Sequence, residues 1–282
     1  MSVMHIVILG LGYTGAAIAR DAVARGWRVT GTSRDPGRVR PIPGVAVVRF
    51  DDAAAAIGAA THLVQTAPPG PDGDPALLDH GPAIAAAPLR WIGYLSTTGV
   101  YGDRGGAWVD EATTPAPTAP RSQRRLAAEQ AWRAVADGRA LDLFRLAGIY
   151  GPGRSPFAEL RDGTARRLDR PEHKFGRIHR DDIARAVLAA MARPDGVRLT
   201  NLTDNEPAAS ADVVAEAARL LGITPPPLTP FDPAQMSEMA LSFWAESRRV
   251  SSVATQAALD LRWRYPSFRQ GLAAIFDQER AE

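Results

Sequence analysis

The sequence predicts an α/β fold in which a doubly wound parallel sheet is followed by a small, mostly helical C-terminal region. Short apolar runs alternate with helical patterns through the first half of the chain, as a parallel sheet with crossover helices requires. The first run, His5–Leu9, ends in a glycine-rich turn that opens a helical pattern. The 282 residues, 45% of them apolar, suffice for one large α/β domain with an appendage. Together these observations indicate a sheet of the Rossmann type.

The glycine-rich turn predicts a dinucleotide site. Its spacing is Gly-x-Gly-x-x-Gly, and a helical pattern follows over 16–25. The first glycine lets the strand turn sharply, the second lets backbone approach a pyrophosphate, and the third lets the helix pack on the strand. The start of the helix adds N–H groups and a positive dipole end. A turn that serves packing alone is the alternative. The predicted cofactor-binding residues of this turn are Gly10, Gly12, Tyr13, Thr14 and Gly15.

The end of the predicted second strand, Trp27–Thr32, indicates which dinucleotide is bound. NAD-binding sheets usually place an acidic residue there, whereas an arginine accommodates the 2′-phosphate of NADP. Ser33 and Arg34 supply a hydroxyl and a bidentate cation, and Arg38 is close in sequence. We therefore expect NADP rather than NAD. A solvated loop arginine is the alternative, because Asp35 adjoins Arg34.

Two more strand ends carry candidate cofactor residues. The third predicted strand, Val45–Arg49, is followed by Asp51, which either flanks an adenine ring or, with Asp52, caps the next helix. The fourth strand is predicted over Thr61–Thr66. The strand is followed by two small residues, Ala67 and Pro68. They either let the chain pass close to a cofactor or form an ordinary loop.

The strand predicted over Arg90–Leu95 runs into a row of hydroxyls. Ligands of open parallel sheets lie beyond the carboxyl ends of the strands. We therefore expect Ser96 to contact the cofactor and Thr97 and Thr98 to contact the substrate. A strand-end hydroxyl that satisfies backbone groups is the alternative for Thr97.

The rest of the chain completes the sheet and adds a second region. Segment 155–174 is predicted to be irregular, and segment 224–230 is predicted to be a proline-rich linker. Segment 233–276 is predicted to alternate short helices with turns. We expect an NAD(P)-binding domain at 1–150, completed by about 178–204, and a substrate-binding lid at 151–177 and 205–282. The remaining predicted elements are helices over 76–87 (capped near Asp74), 121–136, 183–192 and 211–221, and strands over 141–146 and 197–201.

The ordered motifs resemble the extended short-chain dehydrogenase/reductases, the superfamily of NAD(P)-dependent epimerases, dehydratases and reductases. The shortened glycine motif and Arg34 make the chain most similar to the atypical, YeeZ-like subgroup. The resemblance covers nearly the whole chain. The motifs that carry it are Gly10-x-Gly12-x-x-Gly15, Ser96 to Asp103, Ala128-Glu129, Arg145-Leu146 with Ile149 to Gly153, His179 with Asp181-Asp182, Asn201 to Pro207, and Tyr265-Pro266 with Gly271-Leu272.

The resemblance implies a catalytic Tyr-x-x-x-Lys pair that this sequence lacks. Counted back from Ala128-Glu129, the two positions are Arg121 and Arg125, and Lys174 is the only lysine in the chain. Arg125 suits ribose hydroxyls or a phosphate, but arginine stays protonated in proteins and cannot relay a proton. The third family position, a Ser or Thr that bonds the substrate oxygen, falls on Thr97.

Other family positions leave alternatives open. Tyr101 is a candidate for the lost acid, although in the family this tyrosine accompanies the catalytic one, which favours packing. Arg145 and Arg177 are candidates to grip an anionic substrate, or are ordinary surface arginines. Tyr150 and Trp108 either line a cleft or pack. For His179, a helix cap or a structural hydrogen bond is favoured over catalysis. Asp74 or Asp79 is a candidate for the acidic residue that the subgroup places in its active site.

Composition excludes several classes of protein. Without cysteine there are no disulfides, thiolate nucleophiles or cysteine metal sites, and no His/Asp/Glu spacing indicates a metal. The formal charge is only +2, and the arginines are scattered among acids, so no nucleic-acid surface is expected. No apolar run approaches the ~20 residues of a membrane span. We expect a cytoplasmic protein with a small-molecule substrate and leave a homodimer open.

The sequence thus predicts an NADP-dependent oxidoreductase or epimerase-like enzyme without the Tyr-x-x-x-Lys pair. Hydride would move at a hydroxyl or carbonyl carbon of a small or nucleotide-sugar-like substrate, with Thr97 orienting the oxygen. The alternative is a non-catalytic NADP-binding protein, such as a redox sensor, on the same fold.

Overall fold

The computed structural model describes residues 4–236, 241 and 244–281, and the main sheet there has seven strands. Its strands are β1 (His5–Leu9), β2 (Arg28–Ser33), β3 (Val45–Arg49), β4 (His62–Gln65), β5 (Trp91–Thr97), β7 (Ala140–Leu146) and β11 (Val197–Leu202). Shorter strands are β6 (Trp108–Val109), β8 (Gly148–Tyr150), β9 (Arg167–Asp169), β10 (Arg177–His179), β12 (Leu228–Pro230) and β13 (Arg249–Val250).

The main sheet has the strand order β11-β7-β5-β4-β1-β2-β3. β1 pairs in parallel with β2 on one side and with β4 on the other, and β2–β3 and β4–β5 are also parallel. The chain therefore builds the sheet outward from β1 in two directions, which makes the β1–β4 boundary the switch point where open α/β sheets bind ligands. The predicted Rossmann-type α/β fold is confirmed.

Helices connect and cover the strands. In chain order the described α-helices are α1 (Tyr13–Ala24), α2 (Ala54–Gly58), α3 (Pro75–Ala86), α4 (Pro120–Ala136), α5 (Phe157–Arg161), α6 (Arg180–Ala192), α7 (Ser210–Leu221), α8 (Val253–Ala258) and α9 (Phe268–Ala281). The predicted cap of α3 is confirmed: Asp74 accepts a hydrogen bond from the N–H of Ala76 at 3.0 Å, and Pro75 occupies the first helical turn. α7 ends at Gly222, whose φ of +70° suits glycine.

By its internal contacts the chain divides into two units. Unit 1 comprises 4–97, 120–145 and 183–200, and its core contains Leu63, Tyr94 and Trp132. Unit 2 comprises 98–119, 146–182 and the described part of 201–281, and its core contains Phe157 and Phe268. The predicted division of function at residue 150 remains a prediction.

Three expectations about local structure, and one of the two alternatives given for Asp51, are wrong. The irregular stretch 155–174 contains α5 and β9, and the proline-rich linker contains β12, which pairs with β9. The tail ends in the fourteen-residue helix α9 rather than in short helices alone, while 237–240, 242 and 243 lie outside the described residues. Neither Asp51 nor Asp52 caps α2: its N-cap is Ala53, without a side-chain hydrogen bond, and Asp51 pairs with Arg49 at 3.5 Å.

Candidate functional site

The turn after β1 is held rigid by hydroxyls from two neighbouring strand ends. Gly10 has a φ of +106°, and its N–H donates to Thr32 Oγ1 at 3.0 Å. Its carbonyl oxygen accepts from Thr66 Oγ1 at 2.6 Å. A Cβ at Gly10 would lie 2.6 Å from that same hydroxyl, so only glycine fits. The role of Thr66 was not predicted, because one hydroxyl after a strand carries no distinctive spacing.

The other two glycines of the turn have opposite surroundings. A Cβ at Gly15 would lie 2.2 Å from the Gly10 carbonyl oxygen, so Gly15 is required for packing. A Cβ at Gly12 would meet no described atom within 4 Å. Gly12 is exposed and is the N-cap of α1, where no described side chain accepts a hydrogen bond from the helix end. The turn is closed at Gly15 and open at Gly12, the arrangement that a bound pyrophosphate requires.

A groove of about 1110 Å³ adjoins the open side of the turn. Gly12 and half-buried Tyr13 form part of its wall, as does the segment after β2, whereas Thr14 is buried. Asp35 is the acidic residue in the wall, and its carboxylate pairs with Arg38 at 3.1 Å. The Ser33 hydroxyl donates to the Asp35 carbonyl oxygen. The groove carries more positive than negative charge, since four arginines line it: Arg20, Arg34, Arg38 and Arg40.

The remaining predicted cofactor residues have less distinctive surroundings. Ala67 is half-buried and Pro68 is exposed, directly after the end of β4 at the switch point. Asp51 is exposed and lies near Arg49. A contact of Asp51 with an adenine ring remains a prediction.

Ser96 and Arg145 meet at a buried carboxylate in unit 1. Glu129, on α4, accepts from Ser96 Oγ at 2.5 Å and from Arg145 Nε and Nη2 at 3.1 and 2.7 Å. All three residues are at most 3% exposed. These bonds direct both predicted ligand-binding side chains into the interior of the unit, and a contact of Ser96 with the cofactor or of Arg145 with the substrate remains a prediction.

Arg125 lies at the carboxyl end of β5. Its Nη1 donates to the carbonyl oxygen of Leu95 at 2.6 Å and to the hydroxyl of Tyr94 at 3.2 Å. Burial raises the pKa of Tyr94 to about 12, and the charge of Arg125 opposes that rise. Tyr94 therefore stays protonated at neutral pH. The guanidinium is anchored two residues before Thr97, which is half-buried and ends β5.

Asp74 and Asp79, the two candidates for the subgroup's acid, differ in burial. Asp79 is exposed. Asp74 is 4% exposed, and its carboxylate accepts from Gln65 Nε2 at 2.7 Å. Burial raises the pKa of Asp74, although this hydrogen bond opposes the rise. Of the two residues, Asp74 is therefore the one with the perturbed pKa that is typical of an active-site acid, but its side chain is buried.

In unit 2 the residues after β5 make internal contacts. Thr98 is buried, and its Oγ1 donates to the carbonyl oxygen of Leu146 at 3.4 Å. Tyr101 is fully buried, and its hydroxyl donates to Asn201 Oδ1 at 2.8 Å. These contacts favour packing for Tyr101 over its candidacy as the lost acid.

Tyr150 is buried and Arg177 is half-buried in unit 2. Arg177 Nη1 donates to the carbonyl oxygens of Phe175 and Ala208 at 2.9 and 3.0 Å. Burial lowers the pKa of this guanidinium, and the charge of Asp204 opposes the effect. Tyr150 donates its hydroxyl to the carbonyl oxygen of Ser267 at 3.4 Å. Both side chains thus have structural partners, and their contact with a substrate remains a prediction.

His179 has the structural role that the sequence favours. Its Nδ1 accepts from the N–H of Asp181 at 3.2 Å, at the start of α6. Burial lowers the pKa of His179, although the nearby carboxylates of Asp181 and Asp182 oppose this. A neutral ring that accepts at Nδ1 is therefore expected at neutral pH. Trp108, in contrast, is 57% exposed and does not pack into a core.

The described residues contain neither a metal-binding cluster nor a membrane-spanning helix. No group of three or more His, Cys, Asp or Glu side chains is arranged to hold a metal ion. No helix in those ranges combines the length and apolar character needed to cross a membrane.

Protein YeeZ of Escherichia coli (strain K12) is 32% identical to this chain over 239 residues, which cover 78% of the chain and 85% of YeeZ. The chain belongs to the YeeZ-like atypical group of extended short-chain dehydrogenase/reductases. No family model matches the sequence.

Solved structures extend the likeness to the fold of the whole chain. A functionally unknown conserved protein from Silicibacter pomeroyi DSS is 43% identical, with a TM-score of 0.92 and coverage of 98% of this chain and 99% of the other. MoeE5, solved in complex with UDP-glucuronic acid and NAD, is 19% identical, with a TM-score of 0.80 and coverage of 98% and 99%. At that identity the second likeness concerns the fold alone.

Membership in this group sharpens the contrast inside unit 1. The glycine turn has the geometry of a dinucleotide site. Arg125, which the sequence places at the lysine position of the family's Tyr-x-x-x-Lys pair, is anchored to the end of β5. That assignment of Arg121 and Arg125 to the two family positions remains a prediction.

Proposed function

We propose that this protein is an NADP-dependent oxidoreductase or epimerase-like enzyme acting on a small or nucleotide-sugar-like substrate. The observation that carries the proposal is the glycine turn that is open at Gly12, beside a groove lined by four arginines. An exposed backbone and a helix amino terminus suit the pyrophosphate. The excess of arginines suits the extra phosphate that distinguishes NADP from NAD.

Each part of the cofactor has a candidate partner. Gly12 and the start of α1 would hold the pyrophosphate, while Arg34, with Arg38 and Ser33 nearby, would hold the 2′-phosphate. Because Asp35 engages Arg38 at 3.1 Å, Arg34 is the arginine we assign first to that phosphate. The nicotinamide dinucleotide supplies the hydride chemistry when it is bound.

On the substrate side, Thr97 would orient the oxygen of the reacting carbon and Arg125 would hold ribose or phosphate oxygens. Arg125 is fixed by the Leu95 carbonyl oxygen, and only part of its fork is engaged there. A protonated arginine donates but does not relay, so the proton comes from another residue or from water. The sugar nucleotides bound by MoeE5 indicate the substrate class to test first.

Substitution of Arg34 tests the choice of cofactor. We expect Arg34→Ala to weaken NADPH binding by roughly 1–3 kcal/mol, the scale of a charge-assisted hydrogen bond, and to leave NADH binding nearly unchanged. Nicotinamide fluorescence titration measures both constants. Arg90→Ala is the matched control, because Arg90 is an exposed arginine at the amino end of β5. Equal losses for NADPH and NADH would remove the 2′-phosphate assignment.

The paired glycines test the cofactor turn itself. Gly15→Ala should lower the Tm strongly, because its Cβ would lie 2.2 Å from the Gly10 carbonyl oxygen. Gly12→Ala should keep the wild-type Tm, since its Cβ meets no described atom, and yet lose NADPH binding by tenfold or more, about 1.4 kcal/mol. Tight NADPH binding to folded Gly12→Ala would contradict the proposed pyrophosphate position.

A second candidate is a non-catalytic NADP-binding protein, and the replacement of the proton relay by Arg121 and Arg125 favours it. The two candidates differ in hydride transfer. Incubation with NADPH deuterated at nicotinamide C4 and a panel of UDP-sugars and carbonyl compounds, followed by mass spectrometry, separates them. The enzyme is supported if deuterium is found in a product and if the Thr97→Val variant forms less of that labelled product. Tight NADPH binding without any transfer, and without interconversion of any UDP-sugar when NADP+ replaces NADPH, supports the sensor.

A further inference from the structure

Unit 2 contains a cavity of about 510 Å³ whose lining has the composition of a binding site. Its floor includes the paired short strands β6 and β13. Two large apolar side chains of its wall face solvent: Trp108 is 57% exposed and Val253 is 72% exposed. Packing within unit 2 therefore does not account for them. The polar part of the wall is contributed by Asp110, Thr113, Asp204, Asn205, Ser251, Ser252 and Gln256.

Asp204 is the unusual member of this wall. It is 1% exposed, and neither oxygen of its carboxylate has a hydrogen-bond partner among the described residues. Arg177 lies close enough to act on it electrostatically, but the Arg177 guanidinium donates to two carbonyl oxygens instead. Buried polar atoms are nearly always satisfied, so an unsatisfied carboxylate in a cavity wall indicates a ligand that supplies the missing donors.

The charge of the wall decides what kind of ligand fits. Two acidic residues, Asp110 and Asp204, belong to the lining, and no lysine or arginine is among its described residues. An indole beside carboxylates binds cations through its ring face and through charge-assisted hydrogen bonds. We propose that this cavity binds a small organic cation with an apolar body, of the guanidinium or amine class, with Trp108 as the platform and Asp204 as the counter-ion. Its lining shares no residue with that of the groove in unit 1.

The ionisation of Asp204 gives the proposal a pH signature. Burial raises the pKa of Asp204 to about 8, and the Glu206 carboxylate adds to the rise. Arg177 opposes it, as do the backbone N–H groups of Arg177 and Glu206, which approach without forming hydrogen bonds of ordinary geometry. Tyr150 also faces Asp204, but burial raises the pKa of Tyr150 far above neutrality, so it does not titrate in this window. Raising the pH through about 8 should ionise Asp204 and strengthen cation binding.

Two isosteric probes test the site on the full chain. Benzylguanidinium is charged at every accessible pH, and benzylurea is its neutral counterpart. Isothermal titration near pH 9 should show benzylguanidinium bound about tenfold or more tightly than benzylurea, the effect of one charge-assisted hydrogen bond in a desolvated site. The affinity for benzylguanidinium should fall as the pH is lowered below about 8, while that for benzylurea stays flat.

Three variants locate the binding. Asp204→Asn should abolish both the preference for the cation and its pH dependence, and it keeps the volume of the side chain. Trp108→Ala, at an exposed position, should weaken both probes. Asp260→Asn is the matched control, because Asp260 lines a neighbouring cavity of about 660 Å³ rather than this one. Equal affinity for the two probes, or a cation preference that survives Asp204→Asn, overturns the proposal.

Discussion

Glu129 in unit 1 and Asp204 in unit 2 are equally buried carboxylates with opposite surroundings. Glu129 is 2% exposed and accepts three hydrogen bonds, two of them from the charged guanidinium of Arg145. Asp204 is 1% exposed and accepts none from the described residues. A buried charge is tolerated when it is paired and hydrogen-bonded, and otherwise takes up a proton.

The difference separates a structural carboxylate from one available to a ligand. Glu129 ties α4 to β5 and β7, which are adjacent strands, through Ser96 and Arg145. It has little further capacity for a ligand. Asp204 has unused acceptors and lines a cavity. Neutralising Glu129 should therefore destabilise the protein, whereas neutralising Asp204 should stabilise it.

Neutralising Glu129 should have the largest effect. Glu129→Gln removes the carboxylate that the buried guanidinium of Arg145 engages at 2.7 Å, and breaking such a buried ion pair costs about 3–5 kcal/mol in the free energy of unfolding. Urea unfolding at neutral pH measures it from the midpoint at constant m-value. Glu279→Gln is the control, because Glu279 pairs with Arg161, which is 48% exposed, and should cost less than about 1 kcal/mol. Similar losses of unfolding free energy in the two variants would mean that burial does not increase the contribution of the Glu129–Arg145 pair to stability.

Neutralising Asp204 should stabilise the protein, and only above acidic pH. In the unfolded chain an aspartate ionises near its ordinary value of 3.8, whereas burial raises the folded pKa of Asp204 to about 8. The folded state therefore binds the proton more tightly, and wild-type stability falls as the pH rises from about 4 to about 8. Above that range the contribution is constant.

Asp204→Asn removes this titration. Near pH 8 it should raise the free energy of unfolding by about 1–3 kcal/mol, less than the full shift implies because the amide remains buried. Near pH 4 the variant and the wild type should be similar. Urea unfolding at several pH values measures the gap. A variant that is less stable than the wild type at pH 8 would mean that the charge of Asp204 is needed by Arg177.

The main sheet was predictable because its signals are local. The strands His5–Leu9 and Val45–Arg49 have the predicted bounds, and the other strands of the main sheet differ by one or two residues at their ends. Alternation of apolar runs, helix-start residues such as Asp74, and glycines at fixed spacing all act within one or two turns of chain. The short pair β9–β12 was missed because three residues carry no period and the partner strands are far apart in sequence.

The site was less predictable because the partner of a charge is not visible in sequence. Arg145 has the residue type for gripping an anion, yet Glu129, sixteen residues earlier and on another element, engages its guanidinium. Asp51 precedes a helix as a capping residue would, but it lies beside Arg49. Asp204 sits in a family-like segment whose sequence did not single it out. Only the fold reveals which of these groups are paired.

Removing the Ser96 hydroxyl should have the smallest effect on stability, because it deletes only one of the three hydrogen bonds that Glu129 accepts. Ser96→Ala deletes one donor to Glu129 and leaves the guanidinium in place, so we expect a loss of about 1 kcal/mol in the free energy of unfolding. NADPH affinity should not change, because the hydroxyl is directed into unit 1. Thr97→Val is the neighbouring control and should reduce turnover. If Ser96→Ala weakens NADPH binding at constant Tm, Ser96 contacts the cofactor, and Glu129 would then be held by Arg145 alone.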